Sequence, residues 1–109
     1  MTVTVDTGYP VRVGKRKFST GTIAFDASYP TNGEAITPAN LGFNAGGVID
    51  SLQLIGGKGG YIGDFDKANS KILMYYGDNN AGADGPLIEF PNATSLAALT
   101  AVRFVALGW

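Results

Sequence analysis

The chain has 109 residues, of which 45% are hydrophobic and 16% are charged, and its formal net charge is −1. This length fits one domain, residues 1–109, and the apolar content is too high for an intrinsically disordered chain. Cysteine and histidine are both absent, which excludes disulfides, thiol nucleophiles, histidine general bases and zinc sites built from His or Cys.

The first predicted element is a strand over residues 2–5, where threonine and valine alternate. It precedes the first clear hairpin, and an unpaired edge strand promotes aggregation unless something covers it. We therefore expect residues 1–7 to form an arm that pairs with a neighbouring chain. The same segment has neither the basic start nor the long apolar stretch of a signal peptide, so we expect the protein to be made in a cytoplasm.

A β-hairpin follows, with arms at 9–13 and 18–25 that are rich in aromatic and β-branched residues. Its turn carries several cations, and we name this group the basic tip: Arg12, Lys15, Arg16 and Lys17. Acidic residues concentrate in 63–90, so the tip could bind an acidic partner or another copy head to tail. Short charge runs are usually only solvated, which is the simpler interpretation.

Residues 29–47 form a long connection with one clear local signal. Thr37 suits a helix N-cap, Pro38 suits the first helical position, and Gly42 suits a left-handed end, which predicts one helical turn. Long loops in small domains are usually functional or disordered. We expect this one to be ordered and to pack across the sheets, pinned by Tyr29 and Leu41.

The remaining elements are also predicted to be strands, at 48–55, 61–66, 71–76, 87–90 and 101–107, with a possible helical turn at 94–100. We expect at least one-third strand and no helix longer than about two turns, because no segment sustains a helical stripe. About seven to eight short strands with glycine-rich turns are typical of a compact all-β domain, a β-sandwich or jelly roll. An up-and-down barrel is the alternative.

Several segments suggest ligand sites but lack the context that such sites need. The glycine run 56–60 has neither the spacing nor the following helix of a phosphate loop. Residues 78–84 carry oxygen ligands at alternate positions but lack the final Glu of a calcium loop, so weak calcium binding stays open. Asp64 and Asp66 share a strand face without a sign of a cleft, and 92–94 matches the glycosylation pattern, which is common by chance. We therefore predict no catalytic residue, metal site or cofactor.

All the tyrosines and the single tryptophan could form a stacking platform for sugars or bases: Tyr9, Tyr29, Tyr61, Tyr75, Tyr76 and Trp109. Aromatic residues in strands more often pack a core or a subunit interface. We select Tyr9, Tyr29 and Trp109 as candidate anchors of a partner interface, because a terminal Trp outside the core would suit docking. We expect this interface to be mainly apolar, with the basic tip as the competing mechanism.

Four segments resemble small structural proteins encoded beside capsid genes in tailed bacteriophages: GYPVRVG at 8–14, FDASYPTNGEAITPANLG at 25–42, FDKANSK at 65–71 and VRFVALG at 102–108. The similarity covers nearly the whole chain, and its most specific stretch is SYPTNGEAITPANLG. That group has no catalytic motif to carry over. The resemblance implies a virion component, a cement or head-decoration protein, and a homotrimer.

The expected function is therefore structural and not enzymatic. We expect a protein that binds the outer surface of an assembled capsid and clamps neighbouring subunits by burying apolar and aromatic surface. Its expected partners are the major capsid protein and its own copies, without nucleic acid, membrane or small-molecule substrate. The alternative is a tail- or surface-borne carbohydrate-binding module that uses exposed aromatic residues.

Overall fold

The computed structural model describes residues 1–26, 28–30, 32–55, 61–77, 87–90, 95–96, 99 and 101–109. These residues form nine β-strands and one short 3₁₀ turn, Pro38–Leu41. The strands are β1 (Thr2–Val5), β2 (Val11–Val13), β3 (Arg16–Ala24), β4 (Glu34–Ala35), β5 (Ile49–Ile55), β6 (Tyr61–Asp66), β7 (Lys71–Tyr76), β8 (Ile88–Glu89) and β9 (Val102–Gly108). They hold more than one third of the chain, so the predicted all-β fold is confirmed.

The strands form two antiparallel sheets that make a β-sandwich. The first sheet has the order β1-β3-β9-β5, and β2 also pairs with β3. The second sheet has the order β4-β7-β6, and β8 also pairs with β7. Within the described ranges no strand pairing joins the two sheets, which favours the sandwich over the up-and-down barrel.

Alternate residues of the central strands fill the core between the sheets. Ile23 of β3 and Phe104 of β9 are fully buried, and Ile72 of β7 is buried from the other sheet. Val102 is also buried while Arg103 is exposed, as the alternation of apolar and charged residues along this strand predicts. Burying each of the large apolar side chains stabilises the fold by about 1.5–3 kcal/mol.

Strand β5 departs from strict alternation. The sequence predicts opposite faces for even and odd residues of 48–55, but the pairing with β9 shifts register between Ile49 and Ser51. Asp50 is therefore the extra residue of a β-bulge. Ile49 and Leu52 both face the core as a result, although the prediction placed them on opposite faces. The assignment of residues to faces is therefore wrong before the bulge, and the alternation predicted after the bulge is correct.

A cap and two buried side chains hold the described part of the connection, 29–30 and 32–47. The Thr37 hydroxyl accepts from the Asn40 N–H at 3.4 Å, and the Asn40 side chain accepts from the Thr37 N–H at 2.8 Å. Gly42 ends the turn at a φ of 83°, a conformation that glycine adopts without strain. Tyr29 and Leu41 are fully buried, so the predicted turn and both anchors of this segment are confirmed.

The N-terminal strand does not stand free as a pairing arm. Residues of β1 pair with β3, with Val3 opposite Ile23 and Val5 opposite Gly21. Val3 and Val5 also pack against the hydrophobic core. The alternating valines thus cover the core of their own chain, so residues 2–5 belong to the domain and are not a detached arm. Because β1 is the end strand of its sheet, pairing of its other edge with a neighbouring chain stays a prediction.

Candidate partner-binding surface

The outer face of the first sheet carries a row of apolar side chains. The strand register pairs Val11 with Phe18, and Phe18 with Leu107. Directly opposite residues point to the same side of a sheet, and this row lies on the side away from the buried core residues. The next row places Val13 opposite Arg16. Three strands thus supply one apolar surface.

Two aromatic residues, Tyr9 and Trp109, extend this surface. The Tyr9 ring meets the Phe18 ring edge to face, with centroids 6.2 Å apart. Tyr9, Val11 and Val13 are 38%, 40% and 57% exposed. We name the whole set the outer apolar patch: Tyr9, Val11, Val13, Phe18, Leu107 and Trp109. Contiguous exposed apolar groups mark interaction sites, whereas scattered ones do not.

Trp109 is fixed by its backbone and by its ring. Its N–H donates to the Val48 carbonyl oxygen and its own carbonyl oxygen accepts from the Val48 N–H, both at 3.0 Å. The Arg16 guanidinium carbon lies 4.2 Å from the centre of the Trp109 ring, a cation–π contact. Arg16 Nε also forms a salt bridge of 3.2 Å with Asp50. Trp109 is half-buried, so it is a preordered aromatic group and not the free anchor that the sequence suggested.

The structure separates the residues of the predicted basic tip. Lys15 lies in the turn, but Arg16 and Lys17 belong to β3, where successive side chains point to opposite faces. Arg16 lies on the face of the outer apolar patch, against Trp109, whereas Lys17 Nζ donates to Asn44 Oδ1 at 3.0 Å. Arg12 likewise points to the side of β2 opposite Val11 and Val13. The cations therefore do not act as one cluster.

The other end of this sheet face is polar. Both terminal nitrogens of Arg103 donate to the Asp6 carboxylate, at 3.1 and 2.6 Å, and the Thr20 hydroxyl donates to it at 2.8 Å. These hydrogen bonds, first from Arg103 and then from Thr20, lower the pKa of Asp6 below its usual range. The carboxylate links β3 and β9 to the segment that follows β1.

We expect Asp6→Asn to reduce the pH dependence of stability. The folded-state pKa of Asp6 lies below its unfolded value, so its contribution is present above the unfolded pKa and is lost as the pH falls through the folded pKa. The variant should be less stable than the parent at about pH 7, by a difference that narrows toward about pH 2. Urea unfolding at both pH values measures this, with Asp64→Asn on the second sheet as the control. If the free energies of unfolding of Asp6→Asn and the parent differ by the same amount at both pH values, the role assigned to the Asp6 charge is contradicted.

Tyr29 does not belong to a partner interface. Its side chain is 0% exposed, and its hydroxyl accepts from the Met74 N–H at 3.1 Å and donates to Glu89 Oε1 at 3.0 Å. Burial raises the pKa of Tyr29 to about 12. The prediction of Tyr29 as an interface anchor is wrong because the ring fills the core and the hydroxyl bonds there.

The predicted aromatic platform is divided between different places. The rings of Tyr29, Tyr61 and Tyr76 surround Phe90, with centroid distances of 6.3, 5.0 and 5.1 Å. Tyr29 belongs to the core, and Tyr61 and Phe90 pack against it, so this cluster is not an exposed stacking surface. Of the six predicted aromatic residues, Tyr9 and Trp109 lie in the outer apolar patch.

Several other sequence features lie outside the described residues: the glycine run 56–60, the calcium-like loop 78–84, the pattern 92–94 and most of the predicted turn 94–100. Asp64 and Asp66 share a face of β6, as expected. Each carboxylate bonds locally, to the Phe65 N–H and to Asn69 respectively. Within the described ranges no group of three His, Cys, Asp or Glu side chains could hold a metal ion.

No protein-family model, curated protein or solved structure matches the chain. In the part that the structure describes, no helix is long and apolar enough to cross a membrane.

Proposed function

We propose that this protein is a structural component of a tailed-bacteriophage virion that binds the outer surface of the assembled capsid, as a cement or decoration protein. The observation that carries the proposal is the outer apolar patch, which occupies an exposed sheet face beside a fixed tryptophan. The resemblance of the four segments to proteins encoded beside capsid genes supports the same assignment. The major capsid protein is then the partner.

Binding in this proposal is mainly apolar. Contact would remove Tyr9, Val11 and Val13 from water, at about 25 cal/mol for each Å² of apolar area buried. Tryptophan and arginine are the residue types that most often dominate interface energetics, and here they are already stacked. A preordered pair loses less conformational entropy on binding than a free one.

Charge has a smaller part in the proposed contact. Asp50 offsets the charge of Arg16, so the stacked pair enters the interface without an uncompensated charge. Lys15 remains exposed in the turn beside Val13, where it favours an acidic border on the partner. The net charge of −1 gives little long-range steering.

A homotrimer is part of the proposal because proteins of the resembled group commonly sit at local three-fold positions. Three linked copies would hold several capsid subunits at once, and their joint binding would exceed that of a single copy. Analytical ultracentrifugation of the purified protein measures the assembly state. A mass of one chain at high concentration would contradict a preformed trimer.

Val13→Asp should weaken capsid binding at least about tenfold, or about 1.4 kcal/mol, because the new carboxylate must lose water in an apolar contact. Ile62→Asp is the matched control. Ile62 is a strand residue on the other sheet, and its exposure of 48% is similar to the 57% of Val13. Co-sedimentation with capsids assembled without this protein measures both variants. Equal binding by both variants and the parent would contradict the role of the patch.

Salt separates the apolar mechanism from the electrostatic one. Exposed charges are screened within about 3 Å at 1 M ionic strength, whereas apolar burial is not weakened. Retention of the protein on particles in molar sodium chloride supports the apolar mechanism. Release at high salt, together with loss of binding in Lys15→Ala/Lys17→Ala, which leaves the Arg16–Trp109 stack intact, would favour the basic residues instead.

The amount of protein in purified virions tests its location. A capsid decoration protein is present in numbers comparable with the major capsid protein, whereas a tail-borne carbohydrate-binding module is present in few copies. Quantitative mass spectrometry of intact particles measures the ratio. A low ratio would contradict the capsid assignment and favour the tail.

A further inference from the structure

A polar cleft opens on the outer face of the second sheet. Its volume is about 360 Å³, within the range of about 300–1,000 Å³ that is usual for small-molecule sites. The described residues that line it are Asn32, Asp66, Asn69, Lys71, Leu73 and Glu89. We name this set the second-sheet cleft. It lies on a different sheet from the outer apolar patch, and the residues that line it are mainly polar or charged.

The strand register explains why these side chains meet. Asp66 is opposite Lys71 across β6 and β7, and Glu89 of β8 is opposite Tyr75 of β7. Leu73 lies two residues after Lys71, so it points to the same side. Asn32 reaches the cleft from the turn before β4. Side chains from three separate parts of the chain thus converge at one place.

The polar groups of the cleft are held in position before any ligand arrives. The Asn69 N–H and side-chain amide donate to the Asp66 carboxylate, at 3.3 and 2.8 Å. Glu89 Oε1 accepts from the buried Tyr29 hydroxyl at 3.0 Å. Preordered groups bind a ligand with a smaller loss of entropy than mobile ones.

The balance of charge and hydrogen-bonding groups restricts the class of ligand. The two carboxylates, Asp66 and Glu89, outnumber the single ammonium of Lys71, which disfavours an anion. Lys71 offsets one of the two carboxylates and so reduces the attraction for a cation. Amides that both donate and accept, carboxylates that accept and an ammonium that donates together match a ligand with many hydroxyl groups. Leu73 supplies an apolar surface for the carbon side of such a ligand.

Asp66 is suited to accepting hydrogen bonds from a ligand and not to donating a proton. Hydrogen bonds from Asn69 lower the pKa of Asp66, so this carboxyl stays ionised and is a poor proton donor at neutral pH. Tyr75 lies on the same sheet face, opposite Glu89, and is half-buried. Its ring is placed to flank a ligand that extends beyond the cleft.

We propose that the second-sheet cleft binds a neutral saccharide. Asn32, Asn69, Lys71 and the two carboxylates bond its hydroxyl groups, and Leu73 contacts its apolar face. The site is independent of the proposed capsid contact, and it would allow a particle-bound protein to attach to glycans. It also departs from the sequence expectation of no small-molecule partner.

The test uses the full chain and two lysines of one hairpin. The ligands are neutral glucosides, galactosides, mannosides and N-acetylglucosaminides, from mono- to hexasaccharides. Each is titrated to about 10 mM, a concentration that detects a Kd of about 1 mM. Binding is followed by the amide chemical shifts of the protein in NMR spectra. We expect shifts in β7 and in the turn between β6 and β7. Lys71→Met should weaken binding about tenfold or more, and Lys67→Met, outside the cleft on Asp50, should not.

Asn32→Gly provides a second variant that preserves the fold. Asn32 has a φ of 65°, which glycine adopts readily, so this change removes the amide without straining the turn. It should weaken saccharide binding while capsid binding stays at the parental level. Absence of shifts with every member of the panel, or equal losses in Lys71→Met and Lys67→Met, would overturn the proposal. Neither outcome would affect capsid binding, so the two proposals fail separately.

Discussion

Gly21→Ala is expected to destabilise the domain by about 3 kcal/mol, the upper end of the usual cost of overpacking a core. An added Cβ at Gly21 would lie 2.1 Å from the Thr4 carbonyl oxygen and 2.8 Å from Phe104 Cε1. Phe104 is fully buried on the neighbouring central strand, so its ring has no space to move into. The backbone of β1 would have to move away from β3.

Gly46→Ala is the matched control for this change. An added Cβ at Gly46 has no atom within 4 Å. The free energy of unfolding of this variant should therefore be unchanged or higher than that of the parent by at most about 1 kcal/mol. Urea unfolding followed by the single tryptophan compares the two variants. Equal stability of Gly21→Ala and Gly46→Ala would contradict the close approach of β1, β3 and β9.

The parts of the fold that the sequence predicts are those with local signals. Strands β6 and β7 have apolar residues at alternate positions and are joined by a short polar turn, a pattern that predicts a hairpin, and the two strands pair in this way. The 3₁₀ turn follows from Thr37, Pro38 and Gly42, which lie within six positions of one another. In both cases the residues that decide the structure are neighbours in the sequence.

The features that the sequence does not predict depend on distant contacts. Strand β4 is only two residues long and exists because it pairs with β7. The bulge at Asp50 arises from the pairing of β5 with β9, which periodicity does not reveal. Tyr29 lies in a connecting segment, where a partner-binding role is a natural expectation, yet its hydroxyl completes the edge of β7.

The candidate surface likewise combines features that neighbouring residues predict with features that depend on distant contacts. Alternation in Val11–Val13 puts both valines on one side and Arg12 on the other, so part of the outer apolar patch could have been found from sequence. The stacking of Arg16 on Trp109 could not, because it requires the register of β3 against β9. The second-sheet cleft is assembled from three separated segments and has no linear motif.

Tyr29→Phe is expected to lower the free energy of unfolding by about 1–3 kcal/mol, the cost of leaving a buried polar group without a partner. The Tyr29 hydroxyl accepts from the Met74 N–H at 3.1 Å in the buried interior. Phenylalanine keeps the ring that packs on Phe90 but removes the acceptor. Among the described residues the Met74 N–H then has no other acceptor, because the Tyr29 hydroxyl lies where a neighbouring strand would otherwise pair with β7.

Tyr9→Phe is the control that separates this effect from loss of any tyrosine hydroxyl. Tyr9 is 38% exposed, so water can satisfy its hydroxyl, and its removal should change stability by less than about 0.5 kcal/mol. Thermal unfolding compares both variants with the parent, and hydrogen exchange of the Met74 amide gives a local readout. Exchange at that amide should accelerate in Tyr29→Phe and stay unchanged in Tyr9→Phe. Unchanged exchange in Tyr29→Phe would show that another group accepts this hydrogen bond, because a buried amide without an acceptor opens more readily to solvent.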